Sequence, residues 1–221
     1  IFDNKEIFLI LVLFLLIYSF NLDKYPGIWT DEAWFSNPAY TLATQGYLGT
    51  TMMYGFYNIT NYTFWQPPVY LLLLATSFKL FGFGLTQARM VSVLLGSFTV
   101  LFTYLLGKKL YNKKIGLLSS VMLTVNPFFF FVCREVRMDI AVACFTLIAL
   151  YFILIALKES KTMYYLLSGF SATLSLLSHP NGLIGIVSIL LIIGMCKIDF
   201  KNLKITLKLK EALSLILGAV I

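Results

Sequence analysis

Two short stretches hold the residues best suited to chemistry. Trp29-Thr30-Asp31-Glu32-Ala33-Trp34 sets two carboxylates side by side, and Arg134-Glu135-Val136-Arg137-Met138-Asp139 crowds four ionisable groups into six positions. Carboxylates can exchange protons, and guanidinium groups can hold an anion through paired N–H bonds. Thr30 reads as a helix N-cap, with Asp31 and Glu32 in a first turn whose dipole suits negative charge. Asn37-Pro38 reads as the cap and first position of a second helix ending before Gly46. The plain alternative is a capped helix at a surface. In the second stretch, helical spacing puts Arg134 and Arg137 on one face and Glu135 and Asp139 on another. One face would clamp an anion while the other offers carboxylates; the alternative is a rim of mutually paired charges. A third candidate is Ser178-His179-Pro180-Asn181-Gly182, which holds the chain's one histidine. His179 is read as an anion or headgroup contact.

The elements that must position these residues are apolar. Of 221 residues, 59% are hydrophobic, 16% aromatic and only 12% charged. Soluble domains carry about 25% charged residues, so this composition excludes an ordinary water-soluble fold. The net charge of +7 comes largely from lysines clustered between apolar runs, the pattern of loops beside anionic lipid and not of a nucleic-acid binder. Cys133, Cys144 and Cys196 lack metal-ligand spacing and read as small apolar residues.

Uncharged runs at 7–20, 90–106, 115–132, 140–157, 163–178 and 183–196, and another beginning at Ala212, are expected to span a bilayer. The first is read as a retained span, and the chain as the N-terminal part of a longer protein. The shorter run over 68–81 opens with Pro67-Pro68 and contains Lys79. If it lies flat in the interface, Lys5, the Lys108–Lys114 cluster, Lys158, Lys161 and the lysines from Lys197 to Lys210 share one side. Lys24, Lys79, Arg89, Arg134 and Arg137 then share the other. The positive-inside rule favours that arrangement. Residues 21–87 form a long outer loop with Trp29, Trp34, Trp65 and many tyrosines, which suit a headgroup belt and also sugar stacking. The expected fold is an all-α polytopic membrane protein with about seven transmembrane helices.

These motifs, in this order and on one side, resemble the protein O-mannosyltransferase and aminoarabinose-transferase group, glycosyltransferase family 39 of the GT-C fold. The family's Asp-Glu pair on a juxtamembrane helix matches Asp31-Glu32, and Gln66-Pro67-Pro68 is similar to its Lys-Pro-Pro-like motif. Arg134, Arg137 and Asp139 match its Arg-containing loop ending in Asp. Ala88-Arg89-Met90-Val91-Ser92 through Gly107-Lys108-Lys109-Leu110-Tyr111 looks like its second span and basic loop. The resemblance implies a sugar donor on a polyprenyl phosphate at the outer membrane surface and a protein, lipid or glycan acceptor. It implies inversion at the anomeric carbon with Asp31 as general base, and a lipid phosphate held by Arg134 and Arg137. Asp139 would orient an arginine, or join Asp31 and Glu32 around a divalent metal. Gln66 replaces a donor-phosphate lysine of the aminoarabinose branch, and His179 stands where that branch has a lysine before proline. The implied location is the plasma membrane, or the endoplasmic reticulum in a eukaryote. The rival reading is a polytopic transporter with an outward-facing anion site.

Overall fold

A computed structural model describes residues 5–63, 66–199, 204–205 and 208–220, so the expectations placed on Trp65 and Lys201 lie outside the described residues. Among the described residues ten α-helices follow in order: α1 Lys5–Ser19, α2 Thr30–Gln45, α3 Pro68–Phe81, α4 Leu85–Leu110, α5 Lys113–Thr124, α6 Pro127–Arg134, α7 Asp139–Glu159, α8 Thr162–Leu176, α9 Leu183–Lys197 and α10 Leu209–Val220. Among the described residues the one departure from helical architecture is a two-residue antiparallel ladder, Ile198–Asp199 against Lys204–Ile205. The fold is that of a helical membrane protein. α4 and α7 are each long and apolar enough to cross a bilayer alone, and α5 with α6 makes a third candidate if the bent pair counts as one span. The other apolar helices have 12–15 residues, short of the roughly 20 that a straight span needs.

Two expectations change. The run 115–132 is not one helix. It turns by 66° between α5 and α6, because Asn126 ends one helix and caps the next: its side chain accepts from Phe129 N at 3.0 Å and Pro127 takes the first position. Conversely, 30–45 is one helix and not two, with Pro38 inside it. Proline leaves the Trp34 carbonyl without its usual i+4 donor, and Gln66 Nε2 supplies one at 3.4 Å. Gly46 ends α2 in the left-handed region (φ 83°), returning its N–H to Leu42 O.

The chain forms two compact units, one up to Ala141 and one from Val142 onward. In the first, α1 packs through Phe14 and Tyr18, whose rings stack at 3.8 Å, with Phe129 of α6 beside both. Gly96 of α4 lets this contact close, since a Cβ there would meet Cys133 Sγ at 2.6 Å. α3 buries Tyr70, Leu71, Leu74, Ala75 and Phe78, a helical stripe, and Tyr70 shares a 2.7 Å hydrogen bond with Ser92 of α4. The second unit has its own core of Ala149, Ile153, Ala156, Tyr165, Ala172, Ile189 and Ile193. Ser168 donates to Ala149 O at 2.9 Å, and Thr146 bonds Ser175 at 2.9 Å, joining α7 to α8 with small polar residues.

Candidate active site

The site grows from one buried carboxylate. Thr30 is the first residue of α2 and not its cap; the cap position is Trp29, and Glu32 reaches back to take the Trp29 N–H at 3.1 Å. The same carboxylate accepts from Arg89 Nε at 2.8 Å, Arg89 Nη2 at 2.7 Å and Val136 N at 3.0 Å. Glu32 therefore ties the start of α2 to α4 and to the connection between α6 and α7. Arg89 is fully buried and places its remaining donors on Leu22 O (2.8 Å), Pro26 O (2.9 Å) and Gly27 O (3.4 Å). All five guanidinium N–H groups thus have acceptors. Two charges withdrawn from water are tolerable only under such full, bidentate satisfaction.

Arg134 is also turned inward. Its guanidinium donates to Ile17 O, Tyr18 O, Phe20 O, Asn21 O and Tyr25 O at 2.6–3.2 Å and stacks over Phe130 at 5.0 Å. The first of these carbonyls belong to the last turn of α1, where helical acceptors are left open and a cation suits the dipole. The expected shared helical face of Arg134 and Arg137 does not form. α6 stops at Arg134, residues 135–138 are not helical, and α7 starts at Asp139. The break follows from Val136, whose N–H is drawn to Glu32 and not to a helical carbonyl.

Arg137 faces the other way. It stacks on Trp29 at 4.5 Å, donates from Nε to Asp139 Oδ2 at 3.2 Å and pairs with Glu135 at 3.6 Å, while 30% of its side chain stays exposed. Burial pushes the Glu135 carboxyl above its ordinary range, opposed by the nearby Arg137 charge. Asp31, half-buried in the first turn of α2, makes no hydrogen bond or ion pair among the described residues. The stacking of Arg137 on Trp29 brings that cation to the helix end carrying Asp31.

The remaining candidates lie apart in role. Gln66 is buried and bonded to the α2 backbone. His179 belongs to the second unit, where its Nδ1 accepts from Asn181 N at 3.1 Å and caps the 3₁₀ turn Pro180–Gly182. Among the described residues no group of three or more His, Cys, Asp or Glu side chains is placed to hold a metal. Both Glu32 oxygens accept from Arg89. Sequence reasoning assigned no site role to Arg89. The available signal was an arginine at the edge of an apolar run, which α4 now encloses from Leu85.

Residues 65–220 match the family described as dolichyl-phosphate-mannose-protein mannosyltransferase. The chain belongs to that family. This bears out the resemblance drawn from the motifs. The matched stretch contains Gln66, Arg89, Arg134, Arg137, Asp139 and His179; Asp31 and Glu32 precede it. The chain is similar to an uncharacterized protein of Aquifex aeolicus (strain VF5), 25% identical over 81% of this chain and 36% of that protein. It is also similar to the protein named "Putative mannosyltransferase YkcB" of Bacillus subtilis (strain 168), 28% identical over 76% of this chain and 23% of that one. The chain thus spans about a third and about a quarter of the length of these two relatives. No solved structure matches it.

Proposed function

We propose that this chain is a catalytic part of a membrane glycosyltransferase that moves a sugar from a polyprenyl phosphate to an acceptor hydroxyl on the outer side of the membrane. The reading rests on one contrast between adjacent carboxylates. Glu32 is held by four donors, whereas Asp31 next to it has none among the described residues and stands two residues from Trp29, on which Arg137 stacks. A general base must take a proton from its substrate, and Asp31, in the first turn of α2, has no donor among the described residues to displace first. Asp31 takes the acceptor hydroxyl proton while that oxygen bonds to the anomeric carbon from the face opposite the leaving group. The carbon–oxygen bond to the lipid phosphate breaks and its electron pair leaves with the phosphate. Arg137, more accessible than Arg134, receives the developing charge by exchanging one of its carboxylate partners for a phosphate oxygen. Asp139 and Trp29 orient that guanidinium; Glu32 acts through Arg89 and Val136 as a positioning residue. Family membership supports the lipid-linked donor, and the protein, lipid or glycan nature of the acceptor follows the same analogy.

The deciding experiment uses the full-length protein in native-lipid vesicles with radiolabelled polyprenyl-phosphate mannose, following release of polyprenyl phosphate. Asp31→Asn should insert normally and turn over roughly a hundredfold more slowly. Wild-type turnover would overturn the assignment. Sidedness is a separate matter: single cysteines at Asp23 and Lys114 should react with an impermeant maleimide from opposite faces. Labelling of both from one face would refute the outer placement of Asp31.

A further inference from the structure

From Ala33 to Phe78 the chain carries no Asp, Glu, Lys, Arg or His. Inside this stretch, residues 46–63 form a braced loop. Thr50 N donates to Ile59 O and Thr63 N to Leu48 O, each at 2.9 Å. Gly49 lies so close to the Thr60 carbonyl that a Cβ has no room, and Ile59 and Thr50 are buried in the neck. The foot is clasped by Asn37 of α2, whose Oδ1 accepts from Thr50 Oγ1 at 2.8 Å and Thr51 N at 3.0 Å, while its Nδ2 donates to Thr51 Oγ1 at 3.2 Å. On this rigid neck sits an apolar tip. Met53, Tyr54, Phe56 and Tyr57 are all exposed, Tyr54 by 87% and Tyr57 by 77%, and the Phe56 and Tyr57 rings meet edge-on at 4.6 Å.

We infer that this loop is an interfacial anchor, its Met53–Tyr57 tip resting among the headgroups and upper acyl chains of the bilayer that holds the chain. A tip immersed in water would leave a contiguous aromatic and thioether surface unsolvated by any charge of its own. A protein-binding tip would be expected to carry arginine among its tyrosines, and this one has no cation. Uncharged Tyr, Phe and Met on a firm support match the chemistry of the aromatic belt, where ring bodies meet acyl chain and hydroxyls meet headgroup. α3, which follows the loop, exposes Leu72, Leu80 and Phe81, an apolar surface of the kind a bilayer covers. Through the Asn37 clasp, immersion of the tip fixes the depth of α2. That consequence bears on Asp31 only if the glycosyltransferase reading holds; the immersion itself does not depend on it.

The test is a depth measurement on the full-length protein in phosphatidylethanolamine–phosphatidylglycerol vesicles. Cys196 is exposed and is replaced by serine, whereas Cys133 and Cys144 are buried and stay. A nitroxide is attached at Tyr54→Cys, with the same label at the exposed loop residue Asp23 and at Leu118 of α5 as references. Power saturation then compares collision with oxygen, which concentrates in lipid, and with a water-soluble nickel chelate. The oxygen-to-nickel ratio at position 54 should exceed that at 23 severalfold and fall below or match that at 118. A ratio equal to that at Asp23 would put the tip in water and overturn the inference. An immobilised label reached by neither reagent would overturn it in favour of a covering protein segment. Neither result touches the Asp31→Asn assay, so the two readings fail independently.

Discussion

The clamp around Arg89 and the rim around Arg137 are built from the same residue types and are opposites in every physical respect. In the clamp, one arginine and one glutamate are withdrawn from solvent and every guanidinium N–H has a fixed acceptor. At the rim, Arg137 keeps looser partners, a 3.2 Å bond, a 3.6 Å ion pair and an aromatic face, while Asp31 keeps its oxygens free among the described residues. The difference teaches which charges can change partners. A group held by many strong bonds in a dry site is costly to move and serves as a fixed point, whereas a partly solvated one can exchange a carboxylate for a ligand at small cost. Arg134 falls on the clamp side, although it is only three residues from Arg137.

Breaking the clamp should have the largest effect. Glu32→Ala strands a buried guanidinium and removes the cap on Trp29 N and the acceptor for Val136 N. Loss of one member of a buried pair costs about 3–5 kcal/mol, so the variant should be poorly inserted or markedly less heat-stable in detergent. Glu32→Gln should also lose stability, because it leaves the Arg89 charge unneutralised. If both variants kept wild-type thermal stability, the clamp would not be the fixed point described. Asp31→Asn should do the reverse, leaving thermal stability unchanged while slowing transfer roughly a hundredfold. A parallel drop in stability would place Asp31 with the clamp.

The two loop arginines separate the regions more finely. Arg134→Ala uncaps α1 and should appear mainly as lost stability, about 2–4 kcal/mol for a buried hydrogen-bonded cation. Arg137→Ala should leave stability within about 1 kcal/mol, since its pairs are partly exposed, and lower donor affinity or turnover about tenfold or more. Measuring melting temperature and donor titration on both variants checks this. Equal profiles would erase the distinction between clamp and rim.

Local rules read much of this molecule correctly. Pro67-Pro68 marked the start of α3 and Gly46 the end of α2, each through a backbone preference carried by the residue itself. Asn126-Pro127 carried an equally local signal for the bend between α5 and α6, masked by the surrounding hydrophobicity. The clamp was beyond such rules. Glu32 and Arg89 are 57 residues apart, and Arg134 reaches carbonyls more than a hundred residues upstream. Carbonyl acceptors have no residue type to read, so an arginine that binds them looks in sequence like one awaiting a phosphate. Only the fold distinguishes Arg134 from Arg137.

The smallest expected effect concerns Glu135, which sits between the two regions. Burial raises its pKa, Arg137 pulls it down, Glu32 adds to the rise and Arg89 opposes it, with the rise prevailing. A carboxyl whose folded pKa lies above its unfolded one loses its proton first in the unfolded chain. Its contribution to stability is therefore fully present below the unfolded pKa and is lost as pH rises through the folded one. Near neutrality the ionised Glu135 should weaken the fold slightly, by an amount kept small by its partial exposure and its pairing with Arg137. Glu135→Gln keeps an acceptor for Arg137 without the charge. The variant should match the wild type in acid, where both are neutral, and become slightly the more stable as pH rises above the ordinary carboxylate range. The difference between the two melting curves isolates this group, because every other titrating residue is common to both proteins. A variant less stable than wild type at neutral pH would mean that the Glu135–Arg137 attraction outweighs the burial cost, and that Glu135 belongs to the clamp.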